Sequence, residues 1–287
     1  MSTMSMAAPA ASRMGSEPAM ADRLRRFLRS PKGTLTLVFA PLLFVAGTAL
    51  GWPLVLPHVA GAVAGAALAD VLVVRWRKQA WLWPSGALLS GLIVAFVLAL
   101  ETPFVITLLV GALTSLSKHV LRMRRVHIFN PAAIALLVSI PVFATGHSWW
   151  GALPDLPWPW FVLLLAGGTI LVDRINKFPL VLTFTGVYFG LFTLVAQTNP
   201  ARVAEMFRAP FLQAALFLAL FMLTDPPTSP SRTEDQVWIG VLVAVAAFLA
   251  QLAGAGQSYL LIGLLAGNAV LACQRWATWS EAARAAG

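Results

Sequence analysis

Leu98-Ala99-Leu100-Glu101-Thr102-Pro103 and Phe221-Met222-Leu223-Thr224-Asp225-Pro226-Pro227 each end an apolar run with a carboxylate, a threonine and a proline. Both interruptions cost free energy in a lipid bilayer. The proline frees a backbone carbonyl, and the acid must be hydrated or paired. Two such breaks at corresponding places in two halves of a chain are the sequence mark of a membrane protein built from repeats, with a site near the bilayer midplane.

The rest of the chain supports that setting. Of 287 residues, 59% are hydrophobic and 11% charged, whereas soluble domains carry about 25% charged residues. The net charge of +9 does not indicate nucleic-acid binding, because the basic residues lie in short clusters between apolar runs, where they set orientation. A single cysteine, Cys273, excludes an intramolecular disulfide and a four-cysteine iron–sulfur site. His58 and His147, and His119 and His127, form two pairs without the context of a haem motif.

Ten apolar segments have the length to span, or nearly span, a bilayer: 34–52, 55–74, 82–100, 103–117, 129–146, 158–173, 178–197, 209–224, 236–254 and 258–275. With the amino terminus inside, eighteen of the twenty basic residues fall on the cytoplasmic side, and only Arg202 and Arg208 face out. This distribution predicts a multi-pass protein with both termini cytoplasmic. Trp149, Trp150, Trp158 and Trp160 bracket one outer loop, as an interfacial aromatic belt would.

The division that follows is a cytoplasmic tail, 1–33, then a first five-helix repeat, 34–146, an outer loop, 147–157, a second repeat, 158–275, and a tail, 276–287. Within the first tail, residues 21–32 alternate Arg23, Arg25, Arg26 and Arg29 with Leu24, Phe27 and Leu28, a short amphipathic helix suited to an anionic lipid surface. Five spans per half is an odd number, so the second half runs through the membrane in the opposite sense. The expected fold is all-α and polytopic, about ten transmembrane helices in two inverted five-helix repeats with broken helices.

Asn130 precedes Pro131 at the start of the fifth span, which predicts an N-cap, or alternatively an anion site at a positive helix end. Asn268 lies inside the last span. Asp70 is expected to pair near the membrane surface with Arg75. Gly61 with Gly65, Gly186 with Gly190 and Gly263 with Gly267 are small-xxx-small pairs that predict close helix packing.

Taken together, Ser117-Lys118-His119, His127-Ile128-Phe129-Asn130-Pro131-Ala132, Phe221 through Pro230, and Gly267-Asn268 resemble the RnfD/NqrB family, flavin-carrying membrane subunits of ion-translocating electron-transport complexes. The resemblance covers nearly the whole chain after residue 23. It implies a ten-helix inverted repeat similar to urea transporters, the bacterial inner membrane, and partners that are other membrane or FMN-binding redox subunits. One departure is large. Family members with covalent FMN attach it to a threonine in an outer loop, and here Gly146 to Pro157 contain no threonine. Covalent FMN is therefore not expected, and the short form is closer to the UnbU-like branch.

Two functions follow as expectations. The first is a redox subunit of a complex, not a standalone enzyme, holding a noncovalent flavin (FMN or riboflavin) near Asn130, Thr224, Asp225, Thr228 and Ser229. An ion path would use Glu101, Thr102, Asp225 and Asn268. The alternative is a channel or transporter that passes a small polar solute or ion between the two repeats.

Overall fold

A computed structural model describes residues 20–78, 83–123 and 126–285. The expected tail before residue 20 lies outside the described residues, as do Arg13, Arg124, Arg125 and the side chain of Arg23. Among the described residues the chain forms α1 (Met20–Arg29), α2 (Pro31–Leu50), α3 (Trp52–Trp76), α4 (Ser85–Val97) and α5 (Phe104–Val120), then a hairpin of β1 (Arg122–Met123) and β2 (Val126–His127), and α6 (Pro131–Phe143). It continues with α7 (Trp158–Arg174), α8 (Phe178–Thr198), α9 (Pro200–Val203), α10 (Phe211–Phe217), α11 (Thr233–Leu252) and α12 (Tyr259–Ala285).

The protein is all-α and polytopic. Among the described residues, five helices are long and apolar enough to cross a membrane, or six when the bent segment running from α9 to Met222 counts as one span. Helices α4, α5 and α6 are apolar but shorter. At 1.5 Å per residue, the 13 residues of α4 extend about 20 Å, less than the roughly 30 Å hydrocarbon layer. Helix α12 does not stop at residue 275 but runs on to Ala285.

Local sequence explains the helix starts. Ser30 caps α2 by accepting from the Gly33 N–H at 3.1 Å, with Pro31 in the first turn. The joint between α1 and α2 is held from α7, where Arg174 donates to the Thr34 hydroxyl and to the Leu28 carbonyl.

Small residues let backbones approach. A side chain at Gly65 would meet the Leu108 carbonyl at 1.9 Å, and one at Gly111 would meet that of Ala62 at 2.1 Å, so α3 and α5 lie backbone to backbone. Ser115 adds a hydrogen bond to the Ala66 carbonyl at 2.6 Å. Gly61, Gly263 and Gly267 are also tightly packed, whereas a methyl group at Gly186 or Gly190 would have nothing within 4 Å. The Gly186–Gly190 pair therefore makes no close contact among the described residues.

Between the first and second halves sits an aromatic block. Phe39 of α2 packs edge-on to Phe96 of α4 at 5.2 Å and to Phe221 at 5.1 Å, and it stacks with Phe217 of α10 at 6.1 Å. Trp149 meets Phe217, and Trp150 meets Phe96. These two tryptophans are 1% and 4% exposed, so they do not form the expected interfacial belt. Their indoles fill the core because the segment carrying them folds inward to pair with the end of α4. Trp158 and Trp160 are exposed.

Asp70 also differs from expectation. Its carboxylate bonds Lys118 and His119 of α5, each at 2.8 Å, and not Arg75. The close approach of α3 and α5 makes those side chains nearer than the arginine on its own helix.

Candidate functional site

The first break is an interruption satisfied by another strand of chain. Helix α4 ends at Val97, and Leu98 turns extended. The freed backbone groups then pair with residues 146–149: Ala99 N–H donates to Gly146 O at 3.0 Å, and Ser148 and Trp149 N–H both donate to Val97 O. Apolar surroundings require this, since unpaired backbone groups cost several kcal/mol each in lipid. Glu101 is exposed and Thr102 half-buried in the turn that leads to α5.

The second break is built differently. Helix α10 widens into a π-helical turn over Leu218–Met222, closed by Leu223 N–H to Leu218 O at 2.8 Å. Such turns often mark functional positions. The chain then runs through Thr224-Asp225-Pro226-Pro227-Thr228-Ser229-Pro230 to Ser231 before α11 starts. Three prolines in this run have no N–H, so carbonyls outnumber donors, and the surplus must be met from elsewhere.

Side chains meet it one carbonyl at a time. Arg275 of α12 donates to Pro227 O at 2.8 Å and to Ser229 O at 3.2 Å. Asn268 donates to Thr228 O at 3.1 Å, Lys177 to Pro230 O, and Gln236 to Ser231 O at 3.2 Å. From Pro227 to Ser231 every carbonyl accepts from a side chain.

Asn130 closes the assembly from the first half. Its Oδ1 caps α6 by accepting from Ala133 N–H at 3.1 Å, and its Nδ2 donates to Met222 O at 3.1 Å. Its own backbone N–H donates to Asn268 Oδ1 at 2.9 Å. Within the loop, the Thr228 hydroxyl donates to Asp225 Oδ2 at 2.9 Å, and the Thr224 hydroxyl to Leu220 O at 2.8 Å. Lys177 at the start of α8 is held below its usual range by burial and by the Arg275 charge, with the Asp225 carboxylate acting in the opposite direction.

Six of the expected site residues, Asn130, Thr224, Asp225, Thr228, Ser229 and Asn268, are thus brought together. Glu101 and Thr102 belong to the first break and share no hydrogen bond or ion pair with them among the described residues. Lys177, Gln236 and Arg275 were not singled out by sequence, although Arg275 follows Asn268 by seven positions and so shares its helix face. Asn130, Thr224, Thr228, Ser229 and Asn268 are all buried, and of their side-chain polar atoms only Ser229 Oγ has no protein partner. The cluster as packed therefore does not fit an isoalloxazine ring. Apart from the Ser229 hydroxyl, its side-chain donors are engaged with backbone carbonyls or, for Thr228, with the Asp225 carboxylate.

No curated protein matches the chain. Residues 156–271, which include the entire second break and Asn268, match the NQR2, RnfD, RnfE family, the membrane subunits of electron-transport complexes.

Proposed function

We propose that the chain is the membrane-embedded redox subunit of an Rnf- or Nqr-like electron-transport complex, placed in the short UnbU-like branch. Its ten helical segments form two inverted five-helix repeats in the bacterial inner membrane, with both termini cytoplasmic. Helices at all ten apolar segments and the loop distribution of basic residues support this topology.

The observation that carries the reading is the second break. It lies wholly within the family-matched segment, and it sets a half-buried carboxylate, Asp225, in a loop held by Lys177 and Arg275. Such a group is costly at membrane depth and is retained where charge has to be moved or balanced. Asp225 is the carboxylate we assign to ion coupling, with Asn268 positioning the loop that carries it and Glu101 and Thr102 at the other break.

The redox group proposed is a noncovalent flavin, FMN or riboflavin. Because the second break is closed, its place is at a junction with another membrane or FMN-binding subunit. Asn130, Thr224, Thr228 and Ser229 support that junction from within. A solute pathway between the halves has less support, since Phe39, Phe96, Phe217 and Phe221 pack against one another there.

Affinity purification of the tagged chain from native membranes tests the assignment to a complex. Redox subunits that copurify in fixed ratio are the expected result. A chain that purifies alone under mild detergent, with no loss of membrane electron transport on its deletion, contradicts it.

A further inference from the structure

Three buried polar atoms around the end of α4 have no protein partner among the described residues: His58 Nδ1, Ser148 Oγ and the Trp150 indole N–H. The residues that carry them all touch the segment Ala95–Val97, His58 and Ser148 through its backbone and Trp150 through the Phe96 ring. His58 reaches across from α3 to Ala95 O at 3.2 Å, and Ser148 donates its backbone N–H to Val97 O at 3.0 Å. The Trp150 ring packs on Phe96 at 5.1 Å and on the His58 ring at 6.1 Å.

Their chemistry is complementary. Ala95 O can only accept, so in the neutral ring His58 Nε2 carries the proton and Nδ1 presents a lone pair. Trp150 Nε1 can only donate, and a serine hydroxyl does either. One guest that accepts from the indole and donates to the imidazole would satisfy all three. Buried waters typically make about three hydrogen bonds to groups of this kind, while leaving such groups unmet costs about 1–3 kcal/mol each.

We infer that His58, Ser148 and Trp150 enclose a buried hydration site at the first break, holding one water molecule. Glu101 lies exposed in the same break. The site lies at the counterpart of the break that carries Asp225. It does not depend on the proposed electron transport.

The test uses the full chain in detergent with 15N-labelled tryptophan, the Trp150 indole resonance being identified by its loss in Trp150→Phe. The expected result is a direct nuclear Overhauser cross-peak between that indole proton and water, weakened in Ser148→Ala and lost in His58→Phe. Absence of the cross-peak in the wild type overturns the inference, as does unchanged intensity in Ser148→Ala. A cross-peak to a resonance belonging to neither protein nor water would show a solute in the site and overturn the assignment to water. Should His58→Phe fail to fold, the wild-type and Ser148→Ala measurements still decide.

Discussion

The backbone N–H of Asn130 donates to Oδ1 of Asn268 at 2.9 Å, across 138 residues of sequence. This one bond joins the start of α6 in the first half to the middle of α12 in the second, and the Asn268 amide nitrogen continues it to Thr228 O. The two halves are thereby fixed to each other at the second break.

Asn268→Ala removes an acceptor and a donor together, leaving a buried N–H and a buried carbonyl unmet. The expected loss is roughly 2–6 kcal/mol, from about 1–3 for each abandoned group. Thermal unfolding in detergent reads it, with membrane insertion unchanged. An unaltered midpoint would mean that water already serves these groups.

Glycines in similar sequence settings should respond oppositely. Gly65→Ala places a methyl 1.9 Å from the Leu108 carbonyl, so α3 and α5 must separate, and a large loss of stability follows. Gly186→Ala meets nothing within 4 Å and should be neutral or gain up to ~1 kcal/mol from helix propensity. Equal melting temperatures for the two variants would contradict the packing.

His127 gives the hairpin after α5 a pH response. Burial holds the ring below its ordinary 6.5, assisted by Lys118, His119 and Arg122, while its hydrogen bond to Lys118 O opposes the shift. The neighbouring Lys118 and His119 are themselves paired with Asp70. The unfolded chain takes up its proton first as pH falls through 6.5, so the folded state loses stability from there down to the folded pKa. Between about pH 7 and about pH 5, the wild type should lose more stability than His127→Gln. Parallel curves for the two proteins would remove His127 as the cause.

Much of this fold was legible in the apolar runs, and the breaks in their prolines and acids. Helix α4 still ends at Val97, short of the expected residue 100, because residues 97–99 pair with 146–149. That pairing joins residues almost fifty positions apart and leaves no periodic trace. The donors of the second break were hidden for a related reason. Lys177 and Arg275 look like orientation charges at span ends, and only the shortage of N–H groups in Pro226, Pro227 and Pro230 points to a need for them. Trp149 and Trp150 misled because indoles suit both a membrane interface and a core.

An absorption spectrum of the complex copurified through the tagged chain in mild detergent, recorded oxidised and after dithionite, then after acid precipitation, tests the central claim most directly. The account predicts a flavin band that bleaches on reduction and leaves the protein with acid, as a noncovalent cofactor must. A colourless protein, with flavin supplied during growth and purification, would contradict it.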